Sequence, residues 1–365
     1  MKNYNNPVKI IYSDDWKTDL FSKIESLNLS NPIIITSEGN RKRQNVDQIF
    51  SSGSIFSNVK SNPTFQDGEA LIDFCSNKRF NSVIAIGGGS VMDLAKVGIA
   101  YLSLNINKIE KLINYKKNYM KNISSIFLPT THGTASEVTM WGTIWNMIEK
   151  RKYSISHPKL YPNYAILDPN LTLSLPLDIS ITTTMDALSH SFESIWNKNS
   201  NSKSTTHAIS AISSIIKNAP LLKTNLDDIK IRNNLLKSSA EAGLAFSNTM
   251  TAAAHSISYP LTIKYGIPHG IASSITLVPL LKTNKNFIKS PLNQLINKNK
   301  LSFDELINKI EEIPEGVISY KLRDWGVLES ELPDITKDSF TKGRIDNNIV
   351  DLDRNDILNI LKSVY

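Results

Sequence analysis

Four side chains in this sequence have the types and spacing to hold one ion between them. Asp186 and His190 lie four apart in TTTMDALSHSFESIW, and His255 and His269 lie fourteen apart in AAAHSISYPLTIKYGIPHG. An Asp and a His at i and i+4 on a helix share one face, so both can reach a single ion. One carboxylate and three neutral imidazoles suit a borderline divalent cation, Fe2+ or alternatively Zn2+. Three of the chain's six histidines fall in this pattern.

A second motif could hold a phosphate. NSVIAIGGGS reads as a buried strand running into Gly87-Gly88-Gly89-Ser90, and VMDLAKVGIAYLSL follows with helical spacing. Glycines let the backbone approach a phosphate closely, and a helix N-terminus adds amides and a positive dipole. Asp93 and Lys96 fall on the first turns of that helix. The other reading is a plain turn between strand and helix. PTTHGTASE (129–137) is a third element, in which Thr130 and Thr131 offer hydroxyls beyond a strand. In open α/β sheets cofactors bind at that end. Thr134 and Glu137 have capping-box spacing, which predicts a helix start there.

The elements that must position these residues alternate in the first half. NPIIITSEGN, NSVIAIGGGS and SSIFLPTTHGT are compact apolar runs separated by helical patterns, which predicts a parallel sheet with crossover helices. After LDPNLTLSLP long helical patterns take over. A boundary is expected near 174–178, at Pro176. This gives an α/β N-terminal dinucleotide-binding domain with a Rossmann-like parallel sheet over 1–176 and an all-helical metal-binding domain over 177–365. NKNSNSKSTT (197–206) reads as a surface loop, and the lone Cys75, in a helical stretch, as a packing residue.

With 365 residues the chain has room for two domains and a large core. No apolar run is long enough to span a bilayer, and the first residues lack the apolar stretch of a signal peptide. One cysteine excludes an internal disulfide framework and fits a reducing, cytoplasmic setting. The formal charge is +7, but clusters such as Arg41-Lys42-Arg43 and Lys150-Arg151-Lys152 lack interleaved aromatics. Neither nucleic acid nor membrane is therefore an expected partner. A basic field would instead attract an anionic substrate or cofactor.

GGGSVMDLAK, PTTHGTASEVT, DALSHSFES and the segment from His255 to IPHG together resemble the iron-dependent (group III) alcohol dehydrogenases, in order and over roughly residues 5 to 360. The resemblance implies a dehydroquinate synthase-like architecture with a metal in the cleft between its domains. It implies that Asp186, His190, His255 and His269 are the ligands. It also implies pyrophosphate binding at the glycine loop, through Gly88, Gly89 and Ser90 beside Gly87, and nicotinamide contacts at Asp93, Thr130, Thr131 and Lys152. The implied reaction is a metal-assisted hydride exchange between nicotinamide and an aldehyde or alcohol, in an expected homodimer.

Two departures from the family pattern bear on chemistry. Where many members carry a histidine four residues after the third ligand, this chain has Tyr259, a phenol that can hydrogen-bond substrate or pass a proton. Where NAD-preferring members often have an Asp, it has Ser37. That change removes repulsion of a 2′-phosphate, which Arg41, Lys42 or Arg43 could then pair, so use of NADPH, or of both NADPH and NADH, is expected. HSISYPLT, SFESIWNKNSN and WGTIWN resemble the members that reduce phosphonoacetaldehyde. That subset implies an anionic substrate, a phosphonate, and a cation to meet it, with Lys159, Lys198 and Lys264 as candidates. His132 could also donate to such an anion. The alternatives are a relative acting on simple primary alcohols, diols or lactaldehyde, and, remotely, a non-catalytic nucleotide-binding protein. A dehydroquinate-synthase-like cyclase fits less well, because its ligand set usually includes a Glu.

Overall fold

In the parallel runs isoleucine dominates, and the sheet they form is buried on both faces. The computed structural model describes residues 4–115, 118–149 and 151–365, so Lys150 of the second basic cluster lies outside them. The strands are β1 (Lys9–Tyr12), β2 (Pro32–Thr36), β3 (Ile55–Phe56), β4 (Ser82–Gly87), β5 (Ser124–Pro129), β6 (Trp141–Asn146), β7 (Arg151–Ser156) and β8 (Tyr164–Leu167). Six of them make one parallel sheet in the order β1-β8-β5-β4-β2-β3, and β6 and β7 form a separate antiparallel pair. Burial on both faces explains why the runs are continuously apolar rather than alternating. Ile33, Ile35, Val83, Ala85 and Phe127 pack with Leu71 and Ala95 on one face. Ile34, Ile84, Ile86, Ile126 and Leu128 pack with Trp16 and Leu20 on the other.

Two compact units result. One holds Pro7–Thr131 and Ala135–Ser174; the other holds residues 4–6, His132–Thr134 and Leu175–Tyr365. The second unit is mostly helical, with the helices Leu177–Ile195, Ser202–Asn218, Ile229–Thr249 and Ala253–Tyr265 around a core that includes Leu188, Phe192, Ile212 and Leu235. Residues 197–206 are not a loop throughout. Asn201 and Ser204 form a reciprocal capping box that starts a helix at Ser202, and Asn197 is buried with its amide on the Met250 carbonyl. Polar composition concealed a helix start because capping residues are themselves polar. Cys75 is buried in the helix Phe65–Ser76, and burial pushes its thiol up to about 12, as suits a packing residue.

Candidate active site

The ion-type cluster is built from three segments of the helical unit. Asp186 and His190 project from the helix Leu177–Ile195, His255 from the helix Ala253–Tyr265, and His269 opens the short helix His269–Ala272. Ligand atoms of Asp186, His255 and His269 all lie within 4.8 Å of one another. His255 Nε2 is 3.5 Å and His269 Nε2 4.0 Å from Asp186 Oδ1, and His190 Nδ1 is 4.0 Å from Oδ2. His190 is stacked between Phe246 and His255, with ring centroids 4.0 Å and 4.4 Å away. The His269 side chain keeps 25% of its surface exposed against 3–6% for the other three, so the cluster opens on its His269 side.

Backbone closeness fixes His269. A Cβ on Gly270 would lie 2.2 Å from the Thr182 carbonyl oxygen, so only glycine lets this turn settle on the helix that carries Asp186. Ser273 then donates to Asp186 Oδ1 at 2.8 Å, and Ser189 donates to the Ser273 carbonyl at 2.6 Å.

Glu193 stands directly behind the cluster. It is fully buried and accepts twice from one residue: from the His255 backbone N at 3.1 Å and from His255 Nδ1 at 2.5 Å. A proton on Nδ1 leaves the Nε2 lone pair facing Asp186, the tautomer a metal requires. Burial would lower the His255 imidazole, but Glu193 and Asp186 outweigh it and raise it to about 9. Burial would raise Asp186, yet His190, His255 and His269 hold it well below the usual carboxylate range. One carboxylate with imidazoles at this spacing, and a buried His255 Nε2 with no hydrogen-bond partner among the described residues, fit a borderline divalent ion.

The α/β unit carries the second constellation. Gly87 ends β4 beside Pro129 at the end of β5, Thr130 N donates to the Gly87 carbonyl at 3.1 Å, and Gly88 caps the helix Gly89–Leu104. A Cβ on Gly87 would meet Val91 at 2.4 Å, so the turn into the helix needs glycine there. Ser90 Oγ accepts from Asn62 N, and Asn40 Nδ2 donates to Thr130 Oγ1 at 3.3 Å. Thr131 lies against Gly88, where an added Cβ would come within 3.0 Å of its methyl group. Ser37 caps the helix Glu38–Arg43 by accepting from Asn40 N. Arg41 is committed to Asp47 and Ser57, and Arg43 Nη2 donates to Asn40 Oδ1 at 3.0 Å.

Lys96 is fully buried, with Nζ 2.7–2.9 Å from Ser136 O, Ser136 Oγ, Thr139 Oγ1 and Trp141 O. Asp93 accepts from Ser136 Oγ at 3.1 Å, and Lys152 Nζ lies 5.6 Å from the Trp145 ring. Burial lowers Lys96 to about 8 and raises Glu137 to about 7. The helix predicted from Thr134 and Glu137 does not form. Ala135 adopts φ 49°, the Ser136–Val138 segment is a single 3-10 turn without a side-chain cap, and Lys96 holds Ser136 from below. The long-range lysine bonds override the local capping pattern.

His132 has no exposed surface. It pairs with Thr184 Oγ1 at 3.0 Å and lies 3.3 Å from Arg232 Nη1, while burial and Arg232 press it down to about 3. A neutral, enclosed imidazole serves packing rather than donation to an anionic substrate. The three lysines proposed for that role are committed elsewhere: Lys159 to the Tyr119 carbonyl, Lys198 to Asp351 and Lys264 to Asp338. Tyr259 lies one turn beyond His255 on the same helix face, and its hydroxyl accepts from Arg344 Nε at 3.3 Å.

Comparison with known proteins decides the family. The family profile described as iron-containing alcohol dehydrogenase matches residues 7–169, and its C-terminal counterpart matches residues 180–365. The chain belongs to the iron-containing alcohol dehydrogenase family. Within that family, 4-hydroxybutyrate dehydrogenase of Clostridium kluyveri is 30% identical over 81% of this chain and 81% of that protein. Phosphonoacetaldehyde reductase of Streptomyces viridochromogenes is 30% identical over 62% of this chain and 59% of that protein. The crystal structure of sulfoacetaldehyde reductase from Bifidobacterium kashiwanohense in complex with NAD+ superposes with a TM-score of 0.91 at 26% identity, covering 100% of this chain and 98% of that one. Other relatives are named for long-chain alcohols and methanol, so family membership alone does not choose a substrate. The protein is thus an NAD(H)-linked oxidoreductase acting on alcohols or aldehydes, in a family named for its iron. No described helix is long and apolar enough to cross a membrane.

Proposed function

We propose that this enzyme reduces a short aldehyde bearing an anionic group, phosphonoacetaldehyde foremost, to the primary alcohol 2-hydroxyethylphosphonate. The convergence of Asp186, His255 and His269 within 4.8 Å, with His190 stacked beside them, carries the reading. These four residues would hold the ion, which when bound supplies Lewis-acid polarisation of a carbonyl. The nicotinamide supplies hydride chemistry, and the protein's part is to orient it. Gly87, Gly88, Gly89 and Ser90 would seat the pyrophosphate, with Asp93, Thr130, Thr131 and Lys152 toward the nicotinamide. Ser37 with Lys42 and Arg43 supports acceptance of NADPH as well as NADH. Glu193 keeps the His255 ring turned, and Tyr259 or a solvent water returns the last proton to the product oxygen. The division of labour between residues 1–176 and 177–365, a homodimeric assembly and a cytoplasmic location belong to the same proposal.

Three relatives named above support the anionic substrate: their names specify a phosphonate, a sulfonate and a carboxylate. The test is reduced-cofactor consumption with a panel of short aldehydes, in NADH and in NADPH, with Fe2+ or Zn2+ added. Phosphonoacetaldehyde should give the highest kcat/KM. A preference for simple aldehydes or lactaldehyde would overturn the substrate and leave the family standing.

A further inference from the structure

We infer that Arg344 is the residue that recognises the charged end of the substrate; this rests on the anionic-aldehyde reading above. Arg344 precedes the short turn Ile345–Asn347, and its segment is tied to the helix that bears His255. Thr341 N donates to Ser256 Oγ at 3.2 Å, and Ser256 Oγ in turn donates to the Ser339 carbonyl at 2.5 Å. Ser256 is the next residue after the ion-cluster histidine. The guanidinium is aimed by two bonds, from Nε to Tyr259 Oη at 3.3 Å and from Nη1 to the Gly343 carbonyl at 2.9 Å.

Those two bonds use two of the five N–H groups of the guanidinium. The remaining donors include both on Nη2, and no carboxylate pairs with Arg344 among the described residues. A half-buried arginine without an acid partner has the fork geometry that fits two oxygens of a phosphonate, sulfonate or carboxylate. The lysines that might have competed for this role are already paired or bonded to a carbonyl.

The spacing sets the size of the ligand. Tyr259 stands four residues beyond His255, and a helix rises about 6 Å over that interval. A carbonyl at the histidine cluster and an anionic group at Arg344 are therefore bridged by an aldehyde about two to four carbons long. Tyr259 acts here as the positioning residue for Arg344, a role the family's more usual histidine would fill only when neutral.

The experiment compares Arg344→Met and Arg344→Lys with the parent enzyme. Each is assayed with phosphonoacetaldehyde, sulfoacetaldehyde and the aldehyde of 4-hydroxybutyrate, against uncharged butanal. The ratio of kcat/KM for anionic over neutral aldehyde should fall about 100-fold in Arg344→Met, mainly through KM, and only partly in Arg344→Lys. If Arg344→Met is poorly folded, the Arg344→Lys ratio decides, since lysine keeps the charge and loses the fork. A parent that favours anionic aldehydes and variants that keep that preference would overturn the role of Arg344 while leaving the substrate class intact. A parent that shows no preference for anionic aldehydes would overturn the substrate class and, with it, this inference.

Discussion

Two buried ionisable clusters, one in each unit, solve the same electrostatic problem in different ways. In the α/β unit, Asp93 and Glu137 lie in the field of a cation the chain itself provides, the Lys96 ammonium, whose own bonds go to four loop oxygens rather than to either carboxylate. In the helical unit, Asp186 and Glu193 face imidazoles, and no lysine or arginine pairs with either among the described residues. Charge buried without a partner is expensive. The first cluster carries its own cation and has no call for an external one. The second leaves its positive charge to titratable rings, whose lone pairs can serve an external cation instead. The difference separates a site that holds a loop from a site that can hold an ion.

The comparison breaks most sharply at His269. His269→Ala should remove most bound metal and lower reductase activity by at least about 1000-fold, with the circular dichroism spectrum unchanged. Metal analysis beside a turnover assay checks both, and full activity in metal-stripped protein would end the Lewis-acid assignment. On the other side, Lys96→Met should leave metal content intact while lowering stability by about 3–5 kcal/mol, because four loop oxygens lose the donor that fills them; urea unfolding followed by fluorescence reads this. A smaller change sharpens the metal side. Glu193→Gln must set an amide NH2 against either the His255 backbone N–H or its ring. Turning the NH2 to the ring shifts the imidazole proton to Nε2. Metal affinity should fall about 10- to 100-fold by chelator competition, whereas a purely structural Glu193 would leave affinity unchanged.

The smallest effect is a difference in pH slope. His132 is pressed from 6.5 down to about 3 in the folded protein, so between those values the unfolded chain binds the extra proton. Its contribution is present above pH 6.5 and is lost as pH falls. Glu137 is raised from 4.5 to about 7, so the folded state keeps a proton the unfolded state has released. Its contribution is present below pH 4.5 and is lost as pH rises through 7. His132→Gln should flatten the acid-side decline in unfolding midpoint, and Glu137→Gln the decline toward neutrality. Identical slopes in both variants would remove this contrast.

What could be read from sequence follows the range of the interactions. The Asp186–His190 pair was legible because a helix repeats locally, and β2, β4 and β5 were legible because a buried parallel strand is apolar throughout. Glu193 had a signal that went unread: Asp186, His190 and Glu193 fall at i, i+4 and i+7, a polar stripe where a packed helix should present apolar residues. Lys96 gave none, since its partners lie 40–45 residues away in a loop. Arg344 lies 85 residues from Tyr259, and only the fold brings them together. The capping pattern at Thr134 misled for the same reason, because contacts distant in sequence fixed that loop first.

The enclosure of Lys96 has a practical consequence for anyone handling the protein. An amine shut away among four oxygen atoms is out of reach of acylating reagents while its loop stays in place. Its modification rate, followed by mass spectrometry of the peptide that contains it, therefore counts how often the 136–141 loop lifts. The chain carries its own clock for the opening of the loop that follows Thr131, and a ligand that steadies the loop would slow it.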